Sequence, residues 1–194
     1  MGRASKEQME RNRDCIIKTS AELFRERGLD GVSVSDIMAA VGLTHGGFYG
    51  HFSSKDELEA LACQRAIDDA QDFFAASGIA TFDELVDYYL SAKHRDSFGD
   101  GCTVAALASD VLRKPPEKPV REAYTRGVKK MAARLVALQG DAPDAEPSDR
   151  HLAQLAMLAG ALMLARATKG DEISERFLNA AKNTLHATSD DHEK

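Results

Sequence analysis

The stretch Thr44-His45-Gly46-Gly47-Phe48-Tyr49-Gly50-His51, with Lys55 shortly after, gathers hydroxyl, imidazole and ammonium groups around three glycines. Glycine costs a helix roughly 1 kcal/mol relative to alanine, so helix stability did not select these residues. A backbone that must come close to a nucleic-acid groove is one reason for them, and Tyr49, His51 and Lys55 then supply the hydrogen bonds and charge that phosphates require. A glycine-rich loop between two core helices is the other reading, and spacing alone leaves both open. A second reactive candidate is Cys102, which follows Asp100-Gly101 and opens the apolar run Val104 to Leu112. A helix N-terminus favours the thiolate, so sensing of oxidants or electrophiles stands beside plain packing for this residue. Cys15 and Cys63 fall on apolar helix faces and read as inert. Nothing points to catalysis or a metal: Asp68-Asp69 and Asp190-Asp191 have no Arg clamp or repeated carboxylate motif, the histidines show no i, i+4 pair, and the three cysteines show no ligand spacing. The expectation is a non-enzyme without cofactor.

The elements that hold these residues read as helices throughout. The chain has 194 residues, 43% of them hydrophobic, enough to bury a core, and runs of alternating Val, Ile and Thr are missing. Helical spacing and capping signals predict helices at 6–27, 33–41, 44–50, 56–76, 82–95, 103–114, 119–139, 149–168 and 172–187, nine in all. Ser33 with Asp36, Ser54 with Glu57 and Thr81 with Glu84 have capping-box spacing. Gly28 follows the first helix as its C′ residue, and Gly42 breaks the second. The pair 33–41 and 44–50 has the lengths and the glycine turn of a helix-turn-helix, with Ile37, Val41 and Phe48 packing inward.

From Arg13 to Leu58 the sequence carries Ile16-Ile17 and Leu23-Phe24 ahead of Gly28, then Gly31-Val32-Ser33-Val34-Ser35-Asp36-Ile37, Gly42-Leu43-Thr44, Phe48-Tyr49-Gly50-His51-Phe52 and Ser54-Lys55-Asp56-Glu57-Leu58. In order and without gaps, this resembles the N-terminal domain of TetR-type transcriptional repressors. The resemblance implies an all-α fold: a three-helix DNA-binding domain over 1–55, followed by an effector-binding and dimerisation domain over 56–194. It implies that Thr44 caps the recognition helix and touches phosphate, that His45, Gly46, Gly47 and Gly50 face base edges, and that Tyr49, His51 and Lys55 grip the backbone. Ser33 and Ser35 would add phosphate or base contacts. Glycines stand where many relatives carry larger side chains, which leaves His45 as the main side chain for the major groove and gives a share of specificity to DNA shape.

The implied partners are operator DNA, a second copy of the chain and a small-molecule effector. For self-association the apolar run 152–165 offers Leu152, Leu155, Ala159 and Leu162 at near-heptad spacing, and the last helix offers Phe177 and Ala181. For an effector pocket the larger side chains are Phe73, Tyr88, Phe98, Cys102, Tyr124, Met131 and Met157, with Phe74, Tyr89 and His94 beside them. The helix 56–76 is the expected lever between pocket and reader. No stretch has the length of a membrane span, and the cysteine usage suits a reducing cytoplasm. The net charge of −6 at first counts against DNA, but residues 1–55 hold 8 basic against 7 acidic residues while the remainder holds 17 against 24. A weakly positive head predicts few phosphate contacts beyond Arg3, Lys6 and Lys55, and a shallow salt dependence.

Overall fold

The computed structural model describes residues 6–140, 142 and 145–189. All regular structure among them is helical: α1 (Lys6–Arg27), α2 (Val34–Ala40), a 3-10 helix (His45–Gly50), α3 (Lys55–Ala76), α4 (Phe82–Tyr89), α5 (Ala92–Asp96), α6 (Thr103–Arg113), α7 (Pro119–Leu138), α8 (Asp149–Ala167) and α9 (Glu172–Ser189). No described helix is long and apolar enough to cross a membrane.

The local signals act largely as expected. Ser33 caps α2 in a closed capping box with Asp36, and Thr81 does the same for α4 with Glu84. Gly42 ends the α2 segment at a φ of 70°, a conformation that side-chain-bearing residues rarely adopt. The Ser54 box closes only by half. Ser54 accepts the Glu57 amide, but the Glu57 carboxylate turns back to the Ser53 amide and hydroxyl. The predicted single helix 82–95 is two helices, which raises the count to ten helical segments among the described residues. Ser91 makes the break: its hydroxyl donates to the Tyr88 carbonyl at 2.7 Å and accepts from the His94 amide at 3.1 Å, so it ends one helix and caps the next.

Two hydrophobic cores result. The first joins Ile16 and Phe24 of α1, Ile37 of α2, Phe48, Phe52 and Leu58 to Leu107 and Val111 of α6 and Val120 of α7. It therefore does not close at residue 55 but runs on into the helices behind the head. The second gathers Phe74, Leu85 and Tyr89 with Leu135, Leu158, Leu162, Leu178 and Leu185. Beside the first core, where α3 meets the end of α6, the buried Glu59 carboxylate meets Lys114 Nζ at 3.1 Å and Lys55 Nζ at 3.6 Å, and Lys114 also reaches Asp30 Oδ1 at 2.8 Å. Burial pushes the Glu59 carboxyl upward against the pull of the two lysines.

Candidate nucleic-acid interface and ligand cavity

The 3-10 helix is held from beneath. Phe48 is fully buried, its ring lies 5.3 Å from that of Phe52, and the Arg13 guanidinium stands 4.4 Å over Phe52. Arg13 also donates to the His51 carbonyl and reaches Glu57 Oε1 at 3.3 Å, which ties α1 to both ends of the turn behind the reading helix. Hydrogen bonds from Ser53 hold the Glu57 carboxyl below its ordinary range, and those from Ser33 do the same for Asp36.

What faces outward is small and polar. His45, Gly46, Gly47, Tyr49 and Gly50 are exposed, Tyr49 at 67%, and His45 Nδ1 lies 3.0 Å from the Ser35 hydroxyl. A Cβ added at Gly46 or Gly50 would meet nothing within 4 Å, one at Gly47 only ordinary contacts at 3.6 Å, and none of the three has a positive φ. The protein's own packing therefore does not require these glycines.

Three expectations for this surface change. Thr44 occupies the N-cap position, but its side chain makes no capping hydrogen bond. The Ser33 hydroxyl is spent on the α2 cap, donating to Asp36 Oδ2 at 2.6 Å, so it does not stand free for DNA. Lys55 donates to the Leu29 carbonyl at 2.6 Å and pairs with Glu59. The i, i+4 spacing of Lys55 and Glu59 allows this pair, but the burial of the carboxylate that draws the ammonium inward is set by tertiary packing. His51 is half-buried at the C-terminus of the reading helix. Arg3 lies outside the described residues.

A cavity of about 380 Å³ lies where α1, α3, α4, α6 and α7 meet. That is at the lower end of the range for small-molecule sites. Phe73, Tyr88, Cys102 and Met131 line it as expected, with Phe74, Tyr89 and His94. Three expected residues do not. Phe98 packs under the Arg166 guanidinium at 4.9 Å, Tyr124 donates its hydroxyl to the Val104 carbonyl at 2.8 Å, and Met157 sits on the exposed face of α8. Reading the sequence missed Lys18, Glu22 and Arg25, because a polar stripe on α1 looks like a solvated face until the cavity mouth is seen behind it.

Inside, the rings of Tyr88 and His94 stack at 5.4 Å and Tyr88 lies 5.1 Å from Phe73. His94 Nδ1 donates to the Tyr89 carbonyl at 2.7 Å, which makes Nε2 the acceptor for the Cys102 amide at 3.2 Å. Burial lowers this imidazole to about 4, so it is neutral.

The expected dimer stripe is mixed. Leu155, Leu162 and Ala181 are buried inside the chain's own second core, and Ala159 and Phe177 are half-buried. Of the expected residues Leu152 (49% exposed) does face outward, beside Ala153, Ala156, Met157 and Leu164 (48%) of α8 and Ile173 of α9. Near-heptad counting straddled two faces of one uniformly apolar helix.

A helix-turn-helix with an exposed reading helix, backed by an all-helical body, defines a DNA-binding transcriptional regulator. Residues 16–60 match the model of bacterial regulatory proteins of the tetR family. An uncharacterized HTH-type transcriptional regulator of Mycobacterium tuberculosis is 30% identical over 175 residues, spanning 81% of this chain and 86% of that one. The HTH-type transcriptional repressor DhaR of Mycobacterium sp. (strain GP1) is 28% identical over 111 residues, covering 52% and 56% of the two chains. Among solved structures, a TetR transcriptional regulator from Chloroflexus aurantiacus is 26% identical and superposes with a TM-score of 0.73 over 93% of this chain and 95% of that one. The chain belongs to the TetR family of helix-turn-helix transcriptional regulators.

Proposed function

We propose that this regulator is a repressor that binds a near-palindromic operator as a homodimer and is released when a small molecule fills its cavity. The observation that carries the reading is the triad Gly46, Gly47 and Gly50. These glycines serve no need of the fold, they are exposed, and they leave a surface on which DNA can come close to backbone. On that surface His45 reads base edges, with Tyr49, Ser35, Thr44 and His51 as phosphate or sugar contacts. Similarity to a repressor, DhaR, favours repression over activation.

Two-fold operators call for a two-fold protein. The exposed apolar face Ala153, Met157 and Leu164 of α8, extended by Ile173 of α9, supplies a self-complementary surface. We divide the chain by role into a DNA-binding part, 1–55, and an effector and dimerisation part, 56–194, sharing the first core.

Coupling has a short route. α1 belongs to the reading head, yet its Lys18, Glu22 and Arg25 form part of the cavity wall. α6 starts at the cavity with Thr103 and ends at Arg113, just before Lys114, which holds Asp30 at the turn after α1. A ligand that fits the cavity only with α1 and α6 shifted favours head positions mismatched to successive major grooves, and weakens DNA binding by its differential affinity. The helix 56–76 shares this work rather than carrying it alone.

The test is a gel-shift titration on the DNA upstream of the chain's own gene at several salt concentrations. A specific band with a modest salt slope supports the reading; binding no tighter than to random DNA overturns it.

A further inference from the structure

Ser35 and His45 come from the two arms of the helix-turn-helix and meet across it. Ser35 stands in the first turn of α2, where Ser33 already makes the cap, so its hydroxyl is not needed to end the helix. His45 opens the reading helix, and residues at that end of such a helix are the ones that reach base edges. The Ser35 hydroxyl and His45 Nδ1 lie 3.0 Å apart although ten residues separate them in the chain, and both side chains are exposed. The imidazole also meets the Tyr49 ring edge-on, at 6.3 Å between centroids and 71° between planes. Phe48 is buried and the other three residues of the reading helix are glycines, so His45 and Tyr49 are its only outward side chains.

We propose that Ser35 holds His45 with its Nε2–H turned to the DNA, and that this donor selects guanine at one position of each operator half-site. The inference rests on the DNA-binding reading above and names what that reading head recognises. An imidazole has two distinct nitrogens, and the bond made by one sets the role of the other. Nδ1 is tied to Ser35, while Nε2 makes no hydrogen bond among the described residues and is the nitrogen left for a base. In the neutral ring the Ser35 hydroxyl donates to Nδ1, and the ring proton sits on Nε2. In the doubly protonated ring Nδ1 donates to Ser35 instead, and Nε2 is still a donor.

A lone donor is matched best where the major groove offers acceptors alone. Guanine presents N7 and O6 side by side, whereas adenine sets a donor amino group beside N7, thymine sets a methyl beside O4, and cytosine presents a donor. With no side chain at Gly46 or Gly47 beside it, the ring reaches that edge unobstructed. Ser35 then acts through His45 as a positioning residue, and His45 is the residue that touches the base.

The experiment selects binding sites for the full chain from duplex DNA with a randomised core, followed by sequencing. The expected result is a two-fold motif with one guanine per half-site that depends on His45: His45→Ala relaxes that position to all four bases and leaves the rest of the motif in place. Ser35→Ala weakens the guanine preference several-fold at the same position, and Ser35→Thr, which keeps the hydroxyl, retains it. A merely structural role for Ser35 would weaken every position alike. On the selected site, changing this guanine to adenine in both half-sites lowers the parent's affinity by about tenfold or more and leaves that of His45→Ala unchanged. A His45-dependent position that selects any other base, or a motif that His45→Ala leaves intact, overturns the inference while operator binding stands. Full guanine preference in Ser35→Ala likewise overturns it, by removing Ser35 from the reading. A library that yields no motif removes operator binding and this inference together.

Discussion

On the reading surface, side chains added at Gly46 and Gly50 would meet nothing within 4 Å and Tyr49 projects into solvent, whereas at and behind the cavity wall polar groups are tied to the protein: His94 through both nitrogens, Arg166 to three carbonyls, Arg25 to the Gly99 carbonyl. On the function proposed above, the head leaves its face bare for DNA to supply the missing partners, and the body fixes its polar groups so that a small ligand meets a formed wall. The proposed function then falls, in the head, on residues the fold does not need and, in the body, on residues it holds firmly.

The comparison breaks most readily at the third bare surface. Leu164→Glu places a charge on the exposed α8 face, and sedimentation is expected to show a monomer. Operator affinity then falls by about a thousandfold as the second head is lost, equivalent to about 4 kcal/mol. An unchanged dimer would move the self-association surface elsewhere.

His94 tests the opposite idea, that the body's polar groups are structural. Burial holds its folded-state value at about 4, below the ordinary 6.5. The unfolded chain therefore binds the proton first as pH falls, so the stability due to neutral His94 is complete above about 6.5 and is lost as pH drops towards 4, by at most about 3 kcal/mol. Urea melts at pH 7 and pH 4.5 are expected to show a smaller acid loss for His94→Asn than for the parent. Equal losses would mean that the ring titrates freely.

The smallest effect is expected at Lys55. Because its ammonium is bound to Leu29 and Glu59, Lys55→Met is expected to change the log–log salt slope of operator binding by less than about one phosphate contact. A drop of a full unit would show that the side chain swings out to DNA.

The helix-turn-helix was legible in the sequence because its signals are local: the Ser33–Asp36 box, Gly42 at positive φ, Phe48 pointing inward. The cavity was legible only in part. Phe73, Tyr88, Cys102 and Met131 were recognisable as large or reactive groups between helices, but whether a side chain faces a cavity or a neighbouring carbonyl depends on helix rotation, and Tyr124 and Phe98 fell on the wrong side. The polar stripe Lys18, Glu22 and Arg25 has the pattern of an ordinary wet face. Within α8 the composition is too uniform for spacing to separate inside from outside, and Leu155 and Leu162, expected in the dimer stripe, lie in the chain's own second core. Lys55 and Ser33 show the same limit at single residues, since their partners are set by tertiary contact or by a competing cap.

The role of the unneeded glycines of the reading helix is tested by one paired measurement: operator affinity and melting temperature for Gly46→Leu and Gly50→Leu. With open space at both positions, leucine is expected to leave the melting temperature unchanged or slightly raised, as a better helix former, while operator affinity falls by about a hundredfold, equivalent to about 2.7 kcal/mol. Leucine variants that hold the operator as tightly as the parent would contradict it.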